Sequence, residues 1–241
     1  MLASMPFAVI PLIVLSAVVP PVKSASVAYE TFRSGRAGFH MVQVDLGAGA
    51  AQIKTIHNNG LTNVWNLIGR EQPIFAITGT FFGPKSQVPV ADVLVNGELR
   101  ARGNRGSGIG VGYDGTVTIF DARFKEAYDW GMYQYGLRGG VRVISGGKVC
   151  PNPKAQWFKD ASIWGRAART GLGLTKSGKL VAVATVNKIS LSELGNAMKS
   201  RGVVNGISFD GGTSTCFYYN GSMLIPPGRR LCNMLVVSIR P

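Results

Sequence analysis

The tightest constraint on how this chain folds is a recurring turn signal. Asn96-Gly97, Asp114-Gly115, Gly146-Gly147, Ser177-Gly178 and Asn220-Gly221 each stand between two short apolar runs. Two-residue turns need backbone at positive φ, which Gly, Asn and Asp tolerate, and their twist matches that of paired antiparallel strands. The flanking runs supply those strands: residues 90–95 with 98–101, 109–113 with 116–120, 140–144 with 148–150, 172–175 with 179–186, and 217–219 with 222–225. Hairpins repeated in this way predict a chain built of antiparallel strands and argue against a helical bundle.

Further strands are read at residues 29–33, 39–46, 51–57, 74–77, 203–209 and 231–239. The second of these, FHMVQVDL, alternates so that one face is buried. Asn58-Asn59-Gly60 reads as a break, followed by helical spacing of Leu61, Val64, Trp65, Leu67 and Ile68. Ser190 and Glu193 have capping-box spacing ahead of Leu194, Ala197 and Met198, which predicts a helix over 191–201 stopped by Gly202. With 46% apolar and 16% charged residues, a chain of 241 residues can bury a sizeable core. The fold class expected is α+β: a large mixed, mainly antiparallel sheet system with a few flanking helices, in one domain over 26–241.

Residues 6–22 are apolar and uncharged, and small residues follow at Ser24, Ala25 and Ser26. This reads as a signal peptide over 1–25, so a secreted or periplasmic location is expected. An uncleaved anchor is the rival reading, against which stand the shortness of the run and its interruption by Pro11, Pro20 and Pro21. No later segment is apolar for long enough to cross a bilayer as a helix. The net charge of +14 predicts an anionic partner. The basic clusters Arg100-Ala101-Arg102 and Arg229-Arg230 are too small for a nucleic-acid arm. An exported context would allow one disulfide among Cys150, Cys216 and Cys232, with Cys216–Cys232 the expected pair because they flank a hairpin. Two histidines give little material for a His-rich metal site.

Three stretches are placed for chemistry. Asp210 ends an apolar strand and opens onto Gly211-Gly212-Thr213-Ser214-Thr215, a loop whose bare backbone N–H groups can face an anion. Thr78-Gly79-Thr80-Phe81-Phe82 follows a buried strand and offers hydroxyls and aromatic faces to a sugar. Arg169-Thr170 enters another strand, and an Arg fork suits an oxyanion. Taken singly, a tight turn accounts for the Asp210 stretch equally well, and core aromatics and a surface arginine account better for the other two.

Taken in order, TGTFF, GLRGGVRVISGGK, ARTGLG and FDGGTST resemble the phosphodiester glycosidase family from about Val27 to the end of the chain. Thr78 stands where the family commonly has Asn, Val141 where it has Pro, and Thr213 where it has a third Gly. The resemblance implies an exported hydrolase cutting a sugar-1-phosphodiester in a phosphate-bearing glycan. It also implies Asp210 and Arg169 as catalytic residues. Thr78, Gly79, Phe81, Phe82, Arg142, Thr170, Gly211, Gly212 and Ser214 would bind substrate, with Arg142 and Arg169 holding the phosphate. Phosphate leaves more readily than an alkoxide, so one carboxylate with cationic support suffices in place of the usual two. No cofactor is expected, although carbonyls in the Asp210 loop leave calcium open as a ligand. A non-catalytic carbohydrate-binding or exopolysaccharide-processing protein is the alternative. A metal-dependent nuclease is disfavoured, because no dense Asp/Glu/His cluster is present.

Overall fold

A computed structural model describes residues 27–48, 51–83, 85–122 and 125–239. The expected leader and its anchor alternative lie outside the described residues. In chain order the strands are β1 (Val27–Ser34), β2 (Ala37–Val44), β3 (Ala51–Thr62), β4 (Phe75–Thr78), β5 (Val93–Val95), β6 (Glu98–Ala101), β7 (Ser107–Gly112) and β8 (Val117–Phe120). Then come β9 (Tyr133–Ser145), β10 (Lys148–Val149), β11 (Ala167–Thr175), β12 (Leu180–Ile189), β13 (Val203–Ser208), β14 (Phe217–Tyr219), β15 (Ser222–Ile225) and β16 (Leu231–Ile239). The helices are α1 (Val64–Ile68), α2 (Ala161–Trp164) and α3 (Leu191–Lys199).

Two sheets stack face to face. One has eleven strands, with the path β1-β2-β12-β11-β13-β9-β5-β6 and with β7, β8 and β10 joined alongside; the other has the order β15-β14-β4-β16-β3. The core between them takes Val42, Leu172, Leu180 and Ile207 from the large sheet and Phe75, Ile77, Phe217 and Leu235 from the small one. The opposite face of the large sheet buries Val181 and Val183 under Leu191, Leu194 and Met198 of α3. The opposite face of the small sheet buries Ala76, Met234 and Val236 under Val64, Leu67 and Ile68 of α1. Central strands covered on both faces must be apolar at successive positions, which is why β12 and β16 read as near-continuous apolar runs. The result is the sheet-dominated α+β class with helices on the outer faces.

The turn chemistry is realised at both Asn-Gly sites. Asn96 and Gly97 have φ of 51° and 79°, and Asn220 and Gly221 have 45° and 84°, the left-handed pair that a tight hairpin requires. The cap of α3 is also as expected: Ser190 Oγ accepts from Glu193 N at 3.2 Å, and Glu193 Oε2 accepts from Ser190 N at 2.8 Å.

Three expectations change. Asn58-Asn59-Gly60 does not end β3; a register shift against β16 lets these residues bulge while pairing resumes at Thr62↔Leu231. Helix α1 therefore starts later, at Val64, where Asn63 Oδ1 caps Trp65 N. Strand β9 runs thirteen residues, well beyond the expected 140–144. Its glycines had masked it: a Cβ on Gly136 would lie 2.1 Å from the Trp130 ring, so the strand is glycine-rich where a neighbour presses close. The Cys216–Cys232 bond is absent, and all three cysteines are free. Strand β4 lies between β14 and β16, which separates the two residues by about two strand spacings, ~9.6 Å, beyond disulfide reach.

Candidate functional site

The site forms where the ends of β4 and β13 converge. Asp210 N donates to Gly79 O at 3.1 Å, a backbone bond that ties the small sheet to the large one. Asn233 of β16 reinforces the junction: its Oδ1 accepts from Thr80 N at 2.7 Å and its Nδ2 donates to Thr80 O at 3.2 Å. That amide leaves no room beside Gly79, where a Cβ would stand 2.1 Å from Asn233 Oδ1. On the far side, Thr170 Oγ1 of β11 donates to Asp210 O at 2.7 Å, and Ser208 Oγ donates to Thr170 O at 2.9 Å. Each hydroxyl satisfies a carbonyl that could not otherwise be buried without cost. The Asp210 backbone is thus fixed from both sheets.

A cleft of about 490 Å³ opens over this junction, within the range of small-molecule sites. Asp210, Gly211, Gly212 and Thr213 line it from the β13 loop, with Phe81, Phe82 and Gly83 from the β4 loop. Arg169, Phe158, Asp160, Ile163, Arg105 and Arg229 complete most of the wall. Asp210 is 5% exposed. Its Oδ1 accepts from Gly211 N at 2.8 Å, and its Oδ2 accepts from Arg229 Nη2 at 3.1 Å. Burial pushes the carboxyl above its ordinary range, opposed by Ser214, Arg229 and the Gly211 N–H. Arg229 also donates from Nε to Ser214 Oγ at 2.5 Å, and its guanidinium lies 4.4 Å over the Phe82 ring.

Arg169 is 2% exposed. It donates to the main-chain oxygens of Ile163 (3.0 Å), Ile189 (3.4 Å) and Gly165. Burial pulls its basicity down, but an arginine remains charged in proteins. Among the described residues, no carboxylate pairs with it and nothing accepts from its Nη1. Two carboxylates, Asp210 and Asp160, and three arginines, Arg105, Arg169 and Arg229, therefore line the cleft; Arg229 pairs with Asp210, and the charge of Arg169 has no carboxylate partner among the described residues. That balance suits an anion.

The structure brings together Asp210, Arg169, Phe81, Phe82, Gly211 and Gly212 at the cleft surface. Thr78, Gly79, Thr170 and Ser214 lie behind it: Thr78 Oγ1 donates to Ser214 O at 2.6 Å, so its hydroxyl locks the loop. Arg142 stands apart from the cleft lining. Its Nε donates to Asp121 Oδ1 at 2.9 Å and its N–H to Gln156 Oε1 at 2.8 Å. Arg105, Phe158 and Asp160 carry no sequence signal as site residues, and Arg229 stands out in the sequence only as half of a small basic cluster. Asp160 spends its Oδ1 capping Ser162 N of α2. Arg229 lies in a Pro-Pro-Gly-Arg-Arg loop with no motif around it, and only the approach of that loop to Asp210 gives it a role. Among the described residues, no three His, Cys, Asp or Glu side chains gather.

A family model described as phosphodiester glycosidase matches residues 71–238. The chain is similar in structure to the catalytic domain of zebrafish N-acetylglucosamine-1-phosphodiester alpha-N-acetylglucosaminidase, described as auto-inhibited by its pro-peptide. The TM-score is 0.72 at 17% identity, covering 92% of this chain and 85% of that one. It is similar to a hypothetical protein from Synechocystis, with TM-score 0.70, 15% identity and coverage of 90% and 62%. A putative exported protein from Burkholderia pseudomallei follows, with TM-score 0.58, 12% identity and coverage of 84% and 74%. At these identities the structural likenesses establish the fold. No curated protein matches the chain.

Proposed function

The chain belongs to the phosphodiester glycosidase family, and from that premise we propose that it is an exported hydrolase of a sugar-1-phosphodiester in a phosphate-bearing glycan. The observation that carries the reading is the gathering, in one cleft, of the Asp210 carboxylate, its partner Arg229, and the buried Arg169, which has no carboxylate partner among the described residues.

In this reading the phosphodiester lies against Arg169 Nη1 and the edge of Arg229. The sugar sits over Asp210 beside Phe81 and Phe158, whose rings are 5.7 Å apart. Water attacks the anomeric carbon and gives its proton to Asp210. The C1–O bond breaks, and its electron pair leaves with the phosphate as a monoester. A carboxyl raised by burial is a stronger base than an exposed one once ionised, and Arg229 favours that ionised form. Arg169 opposes the charge that builds on the leaving oxygen in a site shielded from water, where such an interaction is worth most. The phosphate-binding part expected of Arg142 passes in this scheme to Arg229. Thr78, Thr170 and Ser214 hold the loops that carry the reacting groups.

The test is hydrolysis of a methyl sugar-1-phosphodiester, read as free reducing sugar. Asp210→Asn should cost about a thousandfold in turnover with the folded state retained by circular dichroism. Normal turnover in that variant overturns the assignment, and binding without hydrolysis by the unaltered chain favours a carbohydrate-binding protein.

A further inference from the structure

Beyond the cleft, on the other side of the Pro226–Arg230 loop, lies an open groove of about 420 Å³. Trp65, Met223, Pro226 and Pro227 give it an apolar floor, and Arg229 and Arg230 line it as well. Trp65 is 50% exposed although it sits in α1, whose other large apolar residues are buried. Its indole is propped edge-on against Tyr218 at 6.0 Å and 89°, and Asn63 caps its backbone N–H. Trp65 is left half in solvent beside Met223, Pro226 and Pro227, so together they form an apolar surface that a ligand can cover. Arg229 lines both the groove and the cleft, so an extended ligand can occupy the two at once with its phosphate at the shared arginine.

We propose that this groove is a second glycan subsite, in which Trp65 stacks on a saccharide ring attached beyond the phosphate held in the cleft. A flat aromatic face with planar cationic groups at its rim matches a sugar ring, which has apolar C–H faces and an equatorial belt of hydroxyls. The proposal rests on the proposed function for its phosphate and extends it to the part of the substrate that confers selectivity.

Two probes test it: one sugar-1-phosphodiester bearing methyl on the phosphate, and one bearing a trisaccharide there. With the full-length chain, Trp65→Ala should raise KM for the trisaccharide ester about tenfold more than for the methyl ester, with Trp65→Phe restoring most of the difference. Equal KM changes for both esters overturn the subsite. Direct binding to the Asp210→Asn chain by calorimetry separates this from the activity itself. If neither ester is hydrolysed, the proposed function fails, and the subsite is judged on binding alone. Tighter binding of the trisaccharide ester, lost in Trp65→Ala, supports it. Unchanged binding, or occupation of the groove by a second copy of the chain in sedimentation, overturns it.

Discussion

Asp210 is pulled two ways, and its titration should register both. Burial raises its carboxyl above the ordinary 3.8. The folded chain therefore holds a proton over a pH range in which the unfolded chain has already released it. Stability contributed by this residue is greatest below that range, falls as pH climbs from the unfolded value through the raised folded one, and stays lowered above it. Asp210→Asn removes this component. Urea titrations at about pH 4 and about pH 8 should show a smaller loss of stability on raising the pH in the variant than in the unaltered chain. Equal losses would mean that Arg229, Ser214 and the Gly211 N–H fully offset burial. A residue costly to fold and central to a proposed reaction is the pattern expected of a functional site.

Single elements set the precision of the cleft. Helix α3 covers the large sheet and also supplies Glu193, whose carboxylate caps Ser190 N and meets Arg166 at 2.6 Å and 3.0 Å. These partners, Arg166 foremost, hold the Glu193 carboxyl down at about 2. Ser190→Ala breaks the box from the other side and should cost about 1 kcal/mol in denaturant stability, without changing the mean residue ellipticity of the folded state. A loss near zero would show that Arg166 holds the helix start by itself. The segment from Cys150 to Arg166 has little regular structure apart from α2, yet it walls the cleft with Phe158 and holds Arg169 through the carbonyls of Ile163 and Gly165. Trp164 Nε1 donates to Phe158 O at 2.8 Å and Lys154 lies 4.6 Å over the Trp164 ring, so the segment is internally braced.

For the molecule as a whole, stability rests on two stacked sheets and two outer helices, with no disulfide. Cys216 is buried and its thiol is pushed up to about 12; Cys232 is buried and also raised, and Cys150 is half-exposed. A thiol reagent should therefore label one cysteine in the native chain and three in denaturant, and a reducing agent should leave the melting temperature unchanged. Finding a single reactive thiol after unfolding would restore the Cys216–Cys232 bond. Such a bond would require β4 to leave its place between β14 and β16, and with it Phe75 and Ile77 to leave the core.

The hairpins, the α3 cap, the apolar central strands and the sheet-dominated class were legible in the sequence, because each is decided by residues within a few positions of one another. Asp210, Arg169 and the Phe81-Phe82 pair were legible as site material only through family resemblance, since singly each suits a plain structural role. What the tertiary structure alone decided concerns long-range placement. Arg142 turns to Asp121, Arg229 comes to Asp210, Thr78 and Thr170 spend their hydroxyls on backbone carbonyls, and β4 separates two cysteines. Side-chain partners are chosen by whatever the packed sheets bring within about 3 Å, and for residues dozens of positions apart no local pattern encodes that choice.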